Sequence, residues 1–172
     1  MTKLAIIVLH FFDKKQTLAC LNSINKLEKQ SLKLEVIVVN NNPKENLFDL
    51  ERRFNHFIFL KSSKNLGYTG GNNLGIKKAL KDKADFIFLL NNDTILDKKA
   101  LVELIKAADL DKKIGILGPK IYFAPGYEFH KDRYKEKEKG KVLWYAGGLI
   151  DWQNLIFSHR GVDEVDFGQY DK

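Results

Sequence analysis

In Leu89-Leu90-Asn91-Asn92-Asp93-Thr94, one carboxylate stands among two carboxamides and a hydroxyl, directly after a run of apolar residues. Every polar group there is an oxygen or an amide. That donor set suits a hard cation, Mg2+ or Mn2+, bridging a ligand's pyrophosphate. One Asp does not define a metal site by itself, and Asp93 or Asn92 can equally cap a turn.

A second stretch, Asn65-Leu66-Gly67-Tyr68-Thr69-Gly70-Gly71-Asn72-Asn73-Leu74-Gly75, holds four Gly and three Asn in eleven residues. Gly permits close backbone approach, and Asn tolerates left-handed geometry. The stretch reads as a loop that shapes a ligand site, with a helix from Asn72 to Lys83 whose free N–H groups suit phosphate. A tight surface turn is the other reading. It is not a P-loop, since no Gly-Lys-Ser/Thr follows. Nor is it a dinucleotide fingerprint, which belongs after the first strand, where His10-Phe11-Phe12 stand.

The remaining reactive side chains offer less. His10, His56, His130 and His159 lack metal-ligand spacing, and each reads as a surface or core histidine. Cys20, the only cysteine, falls on the apolar side of a helical pattern and reads as packing. It can form neither an internal disulfide nor a Cys-rich zinc site.

These residues need elements to position them. Apolar strand-like runs at Leu4–Leu9, Glu35–Asn40, His56–Leu60, Asp85–Leu90 and Ile114–Leu117 alternate with helical patterns. The first helix opens at Asp13 with Gln16 as a capping box and carries Leu18, Leu21, Ile24 and Leu27. Others are expected at Asn46–Phe54 and Lys98–Ala108. The β-α-β-α order predicts an α/β sandwich with a mostly parallel sheet. Right-handed crossovers then place all strand C-termini on one edge, where open α/β sheets bind ligands. Three polar stretches fall there: Asn40-Asn41-Asn42, Ser62 to Asn73, and Asn91-Asn92-Asp93. After Pro119 the pattern changes. Lys131 to Lys141 alternates charge like a solvated loop, Val142–Ile150 reads as one strand, and Asp151–Lys172 shows no clear element.

Composition sets the outer bounds. The 172 residues are 44% hydrophobic and 30% charged, which excludes a disordered or collagen-like chain. No apolar run approaches the ~20 residues that span a bilayer, so a cytoplasmic protein is expected, with at most peripheral membrane association. The net charge of +7 favours anionic partners or simply serves solubility. The lysines are scattered and no basic-aromatic motif occurs, so nucleic acid is not expected as a partner.

Taken together, the chain resembles the donor-binding N-terminal part of family 2 glycosyltransferases, in particular the rhamnosyltransferase-like branch. The likeness rests on Thr17 to Ser23, on Asn65-Leu66-Gly67 through Asn73-Leu74-Gly75, and on Phe88 to Thr94. Ile116 to Ile121, Ala146-Gly147-Gly148 and Ile150-Asp151 match later landmarks. The resemblance implies a GT-A-type, Rossmann-like three-layer sandwich and a nucleoside-diphosphate sugar donor, dTDP- or UDP-linked. It further implies Mg2+ or Mn2+ and inverting transfer to a saccharide or lipid-linked acceptor in polysaccharide or lipopolysaccharide assembly, at the inner face of the membrane. Carried over, Asp93 holds the metal, with Asn91 and Asn92 near the sugar or ribose. Leu9, His10, Phe11, Asn40 and Asn42 hold the nucleoside. Asn65, Gly67, Gly71 and Asn73 line the donor pocket.

The chain departs from the family pattern in three places. Asn40 stands where Asp is usual, and Phe12 where Asn is usual. The family's later helix with an acidic pair, which supplies the general base, has no match before Lys172. The expectation is therefore one domain over 1–172, with a donor-binding core at 1–119 and a loop-rich, incomplete acceptor half at 120–172, truncated at the C-terminus. On the alternative reading it is a non-catalytic nucleotide-sugar-binding module. In either case a second copy or a partner chain is expected to cover apolar surface on Val142–Ile150.

Overall fold

The computed structural model describes residues 1–171, which form two compact units, one spanning Met1–Ile105 and the other starting at Lys106. The first is built on a four-stranded parallel sheet of order β3-β2-β1-β4. Its strands are β1 (Thr2–His10), β2 (Leu32–Asn40), β3 (Ile58–Lys61) and β4 (Phe86–Asn91). β1 is central because it is apolar on both faces: Leu4, Ile6 and Val8 point one way, Ala5, Ile7 and Leu9 the other. All six are buried, each large side chain contributing about 1.5–3 kcal/mol by leaving water.

Helices cover both faces. Helix α1 (Lys14–Ile24) starts where Asp13 accepts from the N–H groups of Lys15 and Gln16, as the capping pattern predicts. It packs Cys20, Leu21 and Ile24 on the Leu4/Ile6/Val8 face. Helix α2 (Phe48–Arg53) and its flanks add Leu47, Leu50 and Phe54 to that face. Helix α4 (Ala100–Leu110) adds Leu101 and Val102. Helix α3 (Gly67–Lys81) covers the opposite face with Leu74, Ile76 and Ala79. The result is the expected three-layer α/β sandwich.

One expectation fails within this unit. The Gly-rich stretch is not a loop: helix α3 begins at Gly67, five residues before Asn72. The glycines are there for contact. A Cβ on Gly71 would meet Leu9 Cδ1 at 2.4 Å, and one on Gly75 would meet Ile7 Cγ2 at 2.5 Å. Tertiary packing against β1 outweighs the low helix propensity of Gly.

The second unit differs more from expectation. Ile114–Leu117 is not a strand; Ile116 is 94% exposed and, among the described residues, no strand pairs with the segment. The strand in this region is β5 (Ile121–Tyr122), antiparallel to β6 (Leu143–Tyr145). Val142–Ile150 is not one strand either. Gly147, at φ +118°, separates β6 from β7 (Gly148–Asp151). The polar end holds β8 (Ile156–His159), which pairs with β7. The charged segment is anchored at both ends. Glu128 is buried and accepts from the N–H groups of Gly126 and Gly140, while the Tyr134 hydroxyl donates to the Asp163 carbonyl at 2.7 Å. Among the described residues, no helix is long and apolar enough to cross a membrane.

Candidate functional site

Strand order reverses between β1 and β4. The chain runs outward from β1 to β2 to β3, then returns through α3 to the other side of β1. In open α/β sheets, the crevice at such a reversal, outside the strand C-termini, takes the ligand. Three connections meet at that edge of the first unit: β1–α1, β2–α2 and β4–α4. The N-terminus of α3 joins them.

The turn after β4 carries the carboxylate. Asn91 and Asp93 are exposed, and Asp93 makes no hydrogen bond or ion pair with any described residue. Asn92 is half-buried; its Nδ2 donates to the Phe12 carbonyl at 3.0 Å and to Thr17 Oγ1 at 2.9 Å. Those two bonds fasten the turn to the β1–α1 connection and leave the carboxylate facing solvent. Beneath it lies Cys20, whose Sγ donates to the Asn91 carbonyl at 3.7 Å. Burial, and secondarily the charge of Asp93, push the Cys20 thiol up to about 12, against a lowering backbone hydrogen bond from Thr94.

The triple asparagine divides its labour. Asn40 is buried, and its amide is spent on the chain itself: Nδ2 donates to the Glu45 carbonyl at 2.9 Å, and Oδ1 accepts from Asn42 N at 3.0 Å. Asn41 is also buried. Its Nδ2 donates to Asn65 Oδ1 and the Gly67 carbonyl, and its Oδ1 accepts from Leu66 N at 3.0 Å. It thereby clamps the start of α3 to the end of β2. Asn42 is half-buried, with Nδ2 3.4 Å from Glu45 Oε2.

His10 is fully buried. Its Nδ1 lies 2.8 Å from Thr17 Oγ1 and its Nε2 3.0 Å from Glu45 Oε2, so neither nitrogen is open to a ligand in this conformation. Leu9 is buried under Gly71, whereas Phe11 is exposed. Asn65 is exposed and its Oδ1 accepts from Gly67 N at 2.8 Å. Asn73 is exposed on α3.

The residues expected to hold the donor and the metal thus lie along this edge or just beneath it. Phe11, Asn65, Gly67, Asn73, Asn91 and Asp93 are exposed, and Asn42 and Asn92 are half-buried. Asn41, Thr17 and Glu45 were not among the residues expected there. Asn41 had a signal in its place within the triple asparagine. Thr17 had a signal only as the start of the Thr17–Ser23 stretch, and Glu45 had none, since its contact with His10 spans thirty-five residues.

No three His, Cys, Asp or Glu side chains among the described residues form a group able to hold a metal ion. A lone exposed carboxylate does suit Mg2+ or Mn2+, which take one or two protein carboxylates and draw other ligands from phosphate and water. The charge also fits an anionic ligand. Residues 1–105 carry 17 Lys and Arg against 11 Asp and Glu, whereas residues 106–172 are nearly balanced at 12 against 11.

Comparison with known proteins adds to this geometry. The sequence profile described as glycosyl transferase family 2 matches residues 5–164. No curated protein sequence matches the chain. Among solved structures, S. aureus TarS 1-349 in complex with UDP-GlcNAc is similar at a TM-score of 0.54 and 17% identity, over 72% of this chain and 40% of that one. A 4-diphosphocytidyl-2C-methyl-D-erythritol synthase is similar at 0.53 and 16% identity, over 74% of this chain and 66% of that one. Mannosyltransferase PcManGT from Pyrobaculum calidifontis, in complex with GDP-Man and Mn2+, is similar at 0.50 and 13% identity, over 83% and 40%. At these identities the likeness is one of fold. The chain spans about two fifths of the length of the TarS 1-349 chain.

Proposed function

The chain belongs to glycosyl transferase family 2, and on that premise we propose that its first unit binds a nucleoside-diphosphate sugar with a divalent metal. The observation that carries the reading is Asp93: an exposed carboxylate without an ion pair, on a fastened turn, at the edge where strand order reverses. Asp93 would hold Mg2+ or Mn2+. When bound, such an ion supplies Lewis-acid stabilisation to the departing diphosphate. Asn91 offers its exposed amide to the sugar or ribose. Phe11 and the connection after Asn40 flank the nucleoside, with Asn42 at its edge. Asn65, Gly67 and Asn73 line the donor side, and Gly71 and Leu9 set how closely α3 approaches β1. Leu9, His10, Asn40 and Asn92 act from below by holding these segments.

The donor is UDP- or dTDP-linked; the UDP-GlcNAc complex of TarS supports the first, the resemblance to the rhamnosyltransferase-like branch the second. The acceptor is a saccharide or lipid-linked saccharide of a surface polysaccharide, met at the inner face of the membrane.

A second reading, donor binding without transfer by this chain alone, has its own support. Attack by an acceptor hydroxyl needs a base, which contributes ~10²–10⁴-fold. The other carboxylates in the loops at this edge are engaged. Asp13 caps α1, Glu45 is bonded to His10, and Asp97 accepts from Lys99 N. Calorimetry with UDP, dTDP and their sugars, with and without Mn2+, tests the proposal. Metal-dependent binding supports it; no binding of any of them refutes it. A transfer assay with candidate acceptors then separates the two readings.

A further inference from the structure

We propose that His10 is a positioning residue that ties the connection after β2 to the turn carrying Asp93, so that the two sides of the site keep one spacing. The inference rests on the donor-binding reading above. His10 ends the central strand, fully buried, and its two ring nitrogens reach in different directions. Nε2 meets Glu45 Oε2 at 3.0 Å. Glu45 belongs to the β2–α2 connection, where its carbonyl also accepts from Asn40 Nδ2 and its carboxylate from Asn42 Nδ2. Nδ1 meets Thr17 Oγ1 at 2.8 Å, and the same oxygen accepts from Asn92 Nδ2 at 2.9 Å. Two side chains therefore link Glu45 to Asn92, the neighbour of Asp93.

Such a buried network holds one arrangement while all its members are paired, and loses it when one is removed. Imidazole suits the task because it places polar atoms at two distances from the backbone. An Asn amide can stand in for Nδ1, and a Gln amide for Nε2, but neither replaces both. Thr17 is the second joint: Val matches its shape without the hydroxyl, and Ser keeps the hydroxyl.

The test combines amide hydrogen exchange of the free chain with UDP and dTDP titrations, with and without Mn2+. In His10→Gln and Thr17→Val, exchange across residues 91–94 should rise about tenfold, and the gain in nucleotide affinity from Mn2+ should shrink about threefold or more. Thr17→Ser should restore both. His10→Asn should keep 91–94 protected and loosen residues 41–46 instead. If 91–94 exchange like wild type in His10→Gln and Thr17→Val, His10 positions nothing and the proposal falls. If the His10 variants do not fold, the shape-matched Thr17 pair decides. If wild type binds neither nucleotide, the donor-binding reading fails, and the exchange pattern still decides the role of His10.

Discussion

Gly71 lies so close to Leu9 that a Cβ there would come within 2.4 Å of Leu9 Cδ1. Helix and central strand touch where a side chain cannot fit. Gly71→Ala should therefore cost about 1–3 kcal/mol, the usual penalty of overpacking a close-packed site. That corresponds to a fall in Tm of roughly 2–4 °C per kcal/mol for a chain of this size. Thermal unfolding of Gly71→Ala beside Gly115→Ala, where nothing lies within 4 Å, checks it; equal Tm values would show that α3 can move away freely.

Asp93 is exposed and makes no hydrogen bond or ion pair with any described residue, so Asp93→Ala should leave Tm within about 1 °C of wild type, as surface changes do. Metal-dependent nucleotide affinity should fall about tenfold or more, the loss of one charge-assisted ligand. Calorimetry in Mn2+ and in excess chelator measures both parts. A variant that still gains affinity from Mn2+ as wild type does would place the metal elsewhere.

Cys20 should be inert in the folded protein. Its thiol is buried and pushed up to about 12, so almost no thiolate forms at pH 8. A thiol reagent should label less than a tenth of the chains in native buffer, and all of them in denaturant, over the same interval. Because the folded value lies above that of a free thiol, ~8.5, stability should be intact below that pH and decline as pH rises toward 12.

Acid should loosen the second unit through Asp166. Burial works to raise its carboxyl, but hydrogen bonds from Lys120, Tyr122 and Gly168 N hold it at about 2. Its folded value is depressed below the unfolded ~3.9, so its contribution is complete above pH ~4 and lost as pH falls toward 2. Asp166→Asn should lower stability at pH 7 by about 1–3 kcal/mol, leaving Lys120 short of a partner, and should flatten the pH 4-to-2 decline. Fluorescence-monitored unfolding across that range checks both; a variant with the wild-type acid profile would assign the decline to other carboxylates.

Trp152, Phe157, Leu155 and Ile156 are each more than half exposed on or beside the β7–β8 hairpin. A two-stranded sheet with open edges and apolar faces is marginal in water, and exposed patches of this kind associate. The chain should self-associate as its concentration rises, and Phe157→Ser should shift it toward monomer. Light scattering on a sizing column reads this directly; a concentration-independent monomer would count against it.

How much of this was legible in the sequence depended on how far apart the partners lie. The apolar runs at Leu4–Leu9 and Val36–Val39 determined the buried parallel strands, because a strand buried on both faces writes its hydrophobicity into consecutive residues, and the run at Phe86–Leu90 determined β4, an edge strand whose Leu89 stays exposed. Alternation with helical patterns determined which edge collects Asn40, Gly67 and Asp93, since crossovers have one hand. Tertiary structure alone decided that Gly67–Gly71 is helical, because the reason, contact of Gly71 with Leu9, lies some sixty residues away. It alone decided that Asn40 and Asn41 are spent on the chain while Asp93 is free, and that His10 faces Thr17 and Glu45. Polar side chains are interchangeable in a local pattern, and only the folded chain decides which donor meets which acceptor. The second unit was least legible for the same reason: its strands are two to four residues long, too short for a period, and pairing across the chain rather than local pattern makes them strands.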